Sequence, residues 1–105
     1  MLESRFQANL IKELKSMFIG CFVLKNDANY IQGFPDLLIL YNNKWAALEC
    51  KRDAFEDHQP NQEYYITELD KMSFARTIYP ENKEEVLHEL QQTFGSRRTS
   101  RISRR

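Results

Sequence analysis

The chain contains little cysteine, histidine, tryptophan, glycine or proline. It has two cysteines, two histidines, one tryptophan and three each of glycine and proline among 105 residues. Cys21 and Cys50 stand 29 positions apart and form no metal-spaced pair, and His58 and His88 lie close to neither. This composition excludes a disulfide framework and argues against a Cys/His zinc site. We expect two free, buried thiols in a reducing cytoplasm.

Long apolar runs are also missing. No stretch approaches the roughly 20 apolar residues that cross a bilayer, and no signal peptide precedes the first helix, so we expect no membrane partner. The hydrophobic fraction of 42% and the aromatic fraction of 12% are those of a globular protein. A chain of this length has room for one core.

The net charge of zero conceals two unlike parts. Residues 95–105 carry five arginines and no acid, so residues 1–94 hold ten basic and fifteen acidic side chains, a net charge of −5. We expect a folded domain over residues 1–94 and a disordered basic tail over residues 95–105. The tail is either a sequence-independent phosphate-binding arm or a solubilising end.

Hydrophobic periodicity predicts an α/β fold in the order αβββαβα, a mixed sheet with helices packed on it. Asp57 is expected to cap the second helix. The expected helices are 2–18, 58–69 and 81–94, and the expected strands are 21–25, 36–41, 44–51 and 73–79.

The second and third strands should form a hairpin that brings two carboxylates together. Asn42-Asn43 suits a two-residue type I′ turn, because asparagine tolerates positive φ. In that register, residues whose numbers sum to 85 are opposite, so Asp36 faces Glu49 with Cβ atoms about 4.5–5.5 Å apart. Alternation places Lys51 on the same face as Glu49 and Cys50 on the other.

Opposed carboxylates destabilise a strand pair unless a cation lies between them. Mg²⁺ and Mn²⁺ prefer oxygen ligands, and Lys51 beside them could hold a phosphate or orient an attacking water. The alternative is structural: Asp36 begins a strand after a proline turn, while Glu49 and Lys51 form a surface ion pair.

Two short motifs resemble those of a nuclease superfamily. They are Gly33-Phe34-Pro35-Asp36-Leu37 and Leu48-Glu49-Cys50-Lys51. Together they resemble the PD-(D/E)XK nucleases, most closely the VRR-NUC branch and the related archaeal-type Holliday-junction resolvases, over residues 3–94. The resemblance implies a restriction-endonuclease-like core and a Mg²⁺-dependent endonuclease that cleaves branched or junction DNA, commonly as a homodimer.

The same resemblance implies further site residues. An acid on the first helix often completes the metal site in these nucleases, which points to Glu3, and the Cys50 backbone carbonyl is expected to join the metal shell. A glutamine on the second helix tends to lie near the scissile phosphate; Gln62 fits that position better than Gln59. The alternatives are that Glu3 only complements the helix dipole and that Gln62 is an ordinary exposed glutamine.

Two other functions stay open at this point. The chain could be a nuclease-like protein that binds nucleic acid without cleaving it, or an acidic interaction module such as a phage-encoded inhibitor. The small size associates it with a phage or mobile element, and hence with the cytoplasm of a bacterial or phage-infected cell.

Overall fold

The computed structural model describes residues 3–95, which form an α/β domain with the element order αβββαβα. The three helices are α1 (Glu3–Met17), α2 (Gln62–Met72) and α3 (Lys83–Phe94). The four strands are β1 (Phe22–Lys25), β2 (Leu37–Tyr41), β3 (Lys44–Cys50) and β4 (Ala75–Ile78). They form one mixed sheet in the order β1-β2-β3-β4, which confirms the predicted fold class.

The β2–β3 hairpin has the predicted register. Leu37 pairs with Leu48 and Tyr41 with Lys44, so paired residue numbers sum to 85. The turn type differs from the prediction, because a type I′ turn needs positive φ at both central residues. Only Asn42 has it, with φ of 56°. β1 pairs antiparallel with β2, whereas β4 pairs parallel with β3.

One face of the sheet carries the hydrophobic core. The buried side chains of α1 recur every four residues and lie on one helical stripe, which packs on this face together with α3. Core members include Phe6, Leu10 and Leu14 of α1, Leu37, Ile39 and Tyr41 of β2, Ala46, Leu48 and Cys50 of β3, and Val86, Leu87, Leu90 and Phe94 of α3. Phe18 closes the far end, with ring centroids 5.3 Å from Tyr41 and 5.0 Å from Phe94.

The opposite face is only half covered. Alternation along β3 turns Glu49 away from the core, and its carboxylate meets Gln62 at the start of α2. α2 packs against β3 and β4 and leaves the β1–β2 half without a covering helix among residues 3–95. Three large apolar side chains are exposed there: Phe22, Leu24 and Leu40.

The main disagreement with the sequence prediction is the start of α2. The helix begins at Gln62 rather than at residue 58, and its N-cap is Asn61, with φ of 72°, rather than Asp57. Gln59 therefore precedes the helix instead of lying on it. The remaining element ends differ from the prediction by a few residues at most, as is usual for helix and strand ends.

Two expectations concern the outer parts of the chain. The basic tail falls, apart from Gly95, outside the described residues, and so does Leu2 of the predicted first helix. No helix within residues 3–95 is both long and apolar enough to cross a bilayer.

Candidate active site

Asp36 and Glu49 lie side by side on the half-covered face, as the register predicts. Asp36 directly precedes β2, and its Oδ2 accepts a hydrogen bond of 2.8 Å from the Cys50 backbone N–H. That bond fixes the Asp36 carboxylate against β3. Glu49 is on β3 itself and is only 3% exposed.

The side-chain amide of Gln62 bridges the Glu49 carboxylate and the Lys51 ammonium. Its Nε2 donates to Glu49 Oε2 at 2.5 Å, and its Oε1 accepts from Lys51 Nζ at 2.7 Å. The same Oε1 accepts the Gln59 backbone N–H at 2.6 Å. These three bonds fix which way the amide points. Gln62 is buried in the structure, unlike an ordinary exposed helix glutamine.

Lys51 directly follows β3, and its ammonium is enclosed. The side chain is 4% exposed, and Nζ donates to the Asp57 carbonyl at 3.2 Å as well as to Gln62. Glu49 Oε2 lies 3.8 Å from Nζ, a longer ion-pair contact. Because neither Glu49 nor Lys51 is at the surface, the alternative of a surface ion pair is wrong.

Burial dominates the protonation of Glu49. Loss of hydration, with the neighbouring Asp36 carboxylate as the next cause, raises the pKa of Glu49 to about 8, although Lys51 acts in the opposite direction. Desolvation also raises the pKa of Asp36 above its ordinary value, against the lowering effect of the Cys50 N–H. At neutral pH the ion-free site therefore favours a protonated Glu49.

Glu3 is at the first turn of α1 and does approach the pair. Desolvation and then the Glu56 carboxylate raise the pKa of Glu3, and Asp36 contributes further. Glu49 in turn responds to the charge of Glu3. The structure thus brings the predicted Glu3 into the same electrostatic cluster as Asp36 and Glu49.

Glu56 is an acid of this cluster that the sequence prediction missed. It lies in the connection after Lys51, where its Oε1 accepts the Arg52 backbone N–H at 2.6 Å, and its charge acts on Glu3 and Asp36. No periodicity governs a loop, so its position in the sequence carries no signal. The nearness of Glu56 to Glu3 and Asp36 depends on the path of residues 52–57, which only the structure shows.

Cys50 contributes its backbone and not its thiol. The side chain is fully buried in the core, and burial raises the pKa of the thiol. The backbone N–H is taken by Asp36. The carbonyl of Cys50 is the group that remains a candidate ligand, and its role as a metal ligand stays a prediction.

Gly33 lets two loops meet beside the site. It has φ of +86°, and a Cβ there would lie 2.4 Å from the Pro60 carbonyl oxygen. A glycine at this point therefore allows the segment before Asp36 to touch the segment before Gln62. Phe34 strengthens the contact by packing edge-on against Tyr65, with centroids 5.2 Å apart.

The carboxylates fit a hard cation in one specific respect. Glu49 Oε1 is buried and has no hydrogen-bond partner among the described residues. An orphaned buried carboxylate oxygen is costly, and a cation ligated there would remove that cost. Within residues 3–95, no three Asp, Glu, His or Cys side chains converge into a ready-made ligand group. Mg²⁺ commonly binds through one or two carboxylates together with water and substrate phosphate.

Comparisons with family models, curated proteins and solved structures found no match to this chain.

Proposed function

We propose that this protein is a metal-dependent endodeoxyribonuclease of the PD-(D/E)XK superfamily, acting on branched or junction DNA. The observation that carries the proposal is the buried Oε1 of Glu49, which lies beside the Asp36 carboxylate and has no hydrogen-bond partner in the part of the chain that the structure describes. The motif resemblance and the αβββαβα order support the same proposal.

Asp36 and Glu49, with Glu3 and the Cys50 carbonyl, would hold Mg²⁺, for which Mn²⁺ could substitute. When bound, such an ion supplies Lewis acidity towards the phosphate and an activated water for hydrolysis. The Cys50 N–H fixes the position of the Asp36 carboxylate, and Glu49, once ionised, would offer Oε1 as a ligand.

Lys51 and Gln62 would act on the phosphate and the attacking water. The ammonium offers positive charge where negative charge accumulates in the transition state, and Gln62 sets its position through the 2.7 Å hydrogen bond. Because Lys51 is enclosed, its contact with substrate requires the Asp57 or Gln62 bond to be exchanged for one to the phosphate.

The decisive assay presents purified protein and Mg²⁺ or Mn²⁺ with linear, flapped, four-way and single-stranded DNA. Cleavage should require the ion and should fall by several orders of magnitude in Asp36→Asn and Lys51→Met. Glu68→Gln is the matched control, since Glu68 lies on α2 and pairs with Lys71 away from the site. Undiminished cleavage by both site variants would refute the proposal.

A nuclease-like protein that binds DNA without cleaving it is the second candidate. The enclosure of Lys51 by Gln62 and Asp57 favours it, because a closed ammonium does not reach a phosphate unaided. A thermal-shift titration with Mn²⁺ tests whether the metal site exists, because a folded protein that binds the ion is stabilised by it. Asp36→Asn should abolish that gain, whereas a protein without a metal site shows no gain at all.

A further inference from the structure

We infer that a cleft beside Asp36 binds an unpaired nucleobase next to the scissile phosphate; this rests on the proposed nuclease function. The cleft has a volume of about 330 Å³, at the lower end of the range for small-molecule sites. It opens in the loop between β1 and β2. Its lining residues are Asn26, Asp27, Tyr30, Ile31 and Phe34.

The cleft lies beside the carboxylate site, because Asn26 lines the cleft and is bonded to the backbone of Pro35 and Asp36. The Asn26 backbone N–H donates to the Asp36 carbonyl at 2.8 Å, and its side-chain Nδ2 donates to the Pro35 carbonyl at 2.6 Å. A group bound in the cleft therefore lies next to the residue that carries the metal-binding carboxylate. Along a DNA strand, the neighbour of a bound phosphate is a base.

The lining suits a base better than a phosphate. Among residues 3–95, no lysine or arginine lines the cleft, and the one charged residue of that range that does, Asp27, is an acid that repels phosphate. The rings of Tyr30 and Phe34 offer flat apolar surfaces for stacking, and Asn26 and Asp27 add polar groups at the edge. Tyr30 is 83% exposed, so a base can reach its ring without any rearrangement of the core.

Aromatic side chains continue from the cleft across the surface of α2. Phe34 meets Tyr65 at 5.2 Å, and Tyr65 meets Tyr64 at 5.3 Å, both edge-to-face. Tyr64 is itself exposed. Proteins that bind single strands stack successive bases on exposed rings of this kind, since every base has a face that can stack.

The consequence is a preference among substrates. A base in an intact duplex is stacked and paired, and extracting it costs a few kcal/mol, whereas a flap, bulge or junction offers one already free. We expect tighter binding where an unpaired base adjoins the cleavage site, and no sequence requirement, because stacking does not distinguish bases strongly.

The test measures binding without cleavage, in buffer containing EDTA. The probes are duplexes with a single bulged 2-aminopurine, the same bulge as an abasic nucleotide, and no bulge. The wild-type protein should bind the bulged base about tenfold more tightly than either control and should quench its fluorescence. Tyr30→Ala should lose this preference, and Tyr30→Phe should keep it. Met72→Ala, a change at another exposed apolar residue, the last of α2, should have no effect.

Equal affinity of the wild-type protein for the bulged and abasic probes would overturn the inference, as would an unchanged preference in Tyr30→Ala. Absence of binding to any probe counts against it equally. The outcome is separable from that of the nuclease proposal, because the stacking signal needs no hydrolysis. Conversely, efficient cleavage that ignores both the bulge and Tyr30 would leave the nuclease standing and remove the base cleft.

Discussion

Glu49 is the residue at which stability and the proposed activity conflict. Its carboxyl is buried beside a second acid, one of its oxygens has no partner within residues 3–95, and its pKa is raised to about 8. If this position had only a structural role, an apolar or amide side chain there would make the protein more stable. In the absence of the ion, the buried acid should therefore lower the free energy of unfolding.

The first prediction concerns pH. Because the pKa of Glu49 is higher in the folded than in the unfolded chain, its protonated form stabilises the fold fully below about 4.5. This contribution is lost as pH rises towards about 8, by at most about 1.4 kcal/mol per pH unit. Denaturant unfolding in EDTA between these limits should show the decline, and Glu49→Gln should flatten it.

Two comparisons make that experiment specific. Glu68→Gln should keep the wild-type slope, since Glu68 is on the surface of α2 and pairs with Lys71. Saturating Mn²⁺ should make the decline of stability with pH less steep in the wild-type protein and should leave the pH dependence of Glu49→Gln unchanged. Identical slopes for wild type and Glu49→Gln would contradict the assigned protonation of Glu49.

The second prediction separates the two glutamines. Gln62→Leu removes the acceptor of Lys51 and of the Gln59 N–H, and leaving such groups unpaired costs about 1–3 kcal/mol of unfolding free energy. Gln59→Leu should cost little, because only the backbone of Gln59 takes part in this network. Thermal melts of both variants, with DNA cleavage rates beside them, check the difference; equal melting temperatures would refute the bridging role.

At the scale of elements, the two loops that meet at Gly33 decide where Gln62 lies. Gly33→Ala combines a left-handed backbone, costing about 1–2 kcal/mol for a residue with a Cβ, with a contact that the Pro60 carbonyl cannot accommodate. We expect a loss beyond that range, together with weaker Mn²⁺ stabilisation and slower cleavage as the start of α2 moves.

Gly20 provides the matched control for that prediction. Its φ is +89°, close to that of Gly33, but a Cβ there would meet no atom within 4 Å. Gly20→Ala should therefore lose only the backbone contribution and leave Mn²⁺ binding unchanged. If the two variants behave alike in urea unfolding and in the ion titration, the loop contact has no role in the site.

The elements also show what could be read from the sequence. The hairpin register was predictable because a two-residue connection fixes every pair, and this placed Asp36 beside Glu49. The start of α2 was not, because the local signals of Asp57 and Pro60 favour an earlier start, whereas residues 58–59 have no regular structure and residues 60–61 form a turn. Glu56 was missed for the same reason: loop paths follow packing rather than pattern.

At the scale of the whole molecule, the uncovered half of the sheet bears on the expected homodimer. By register Phe22 lies beside Leu40, and with Leu24 they form an exposed apolar patch that includes the edge strand β1. Patches of this kind commonly mark interfaces, and an edge strand can pair symmetrically with its own copy. Light scattering should show a dimer that Phe22→Asp converts to a monomer.

Met72→Asp tests whether any exposed apolar residue would give that result. Met72 is 70% exposed, close to the 68% of Phe22, but it stands alone at the end of α2. It should leave the dimer intact. A wild-type protein that is monomeric at high concentration would remove the dimer from the proposal.

The parallel pairing of β4 with β3 has a consequence for how the protein is made. The acids meet through a hairpin of neighbouring residues, whereas the Lys51 backbone N–H bonds to the Ile78 carbonyl only after the chain has crossed back over the sheet. Contacts close in sequence form before distant ones, so pulse-labelled hydrogen exchange during refolding should protect the hairpin amides ahead of Lys51. A nascent chain would thus bring its two acids together before β4 anchors the backbone of Lys51.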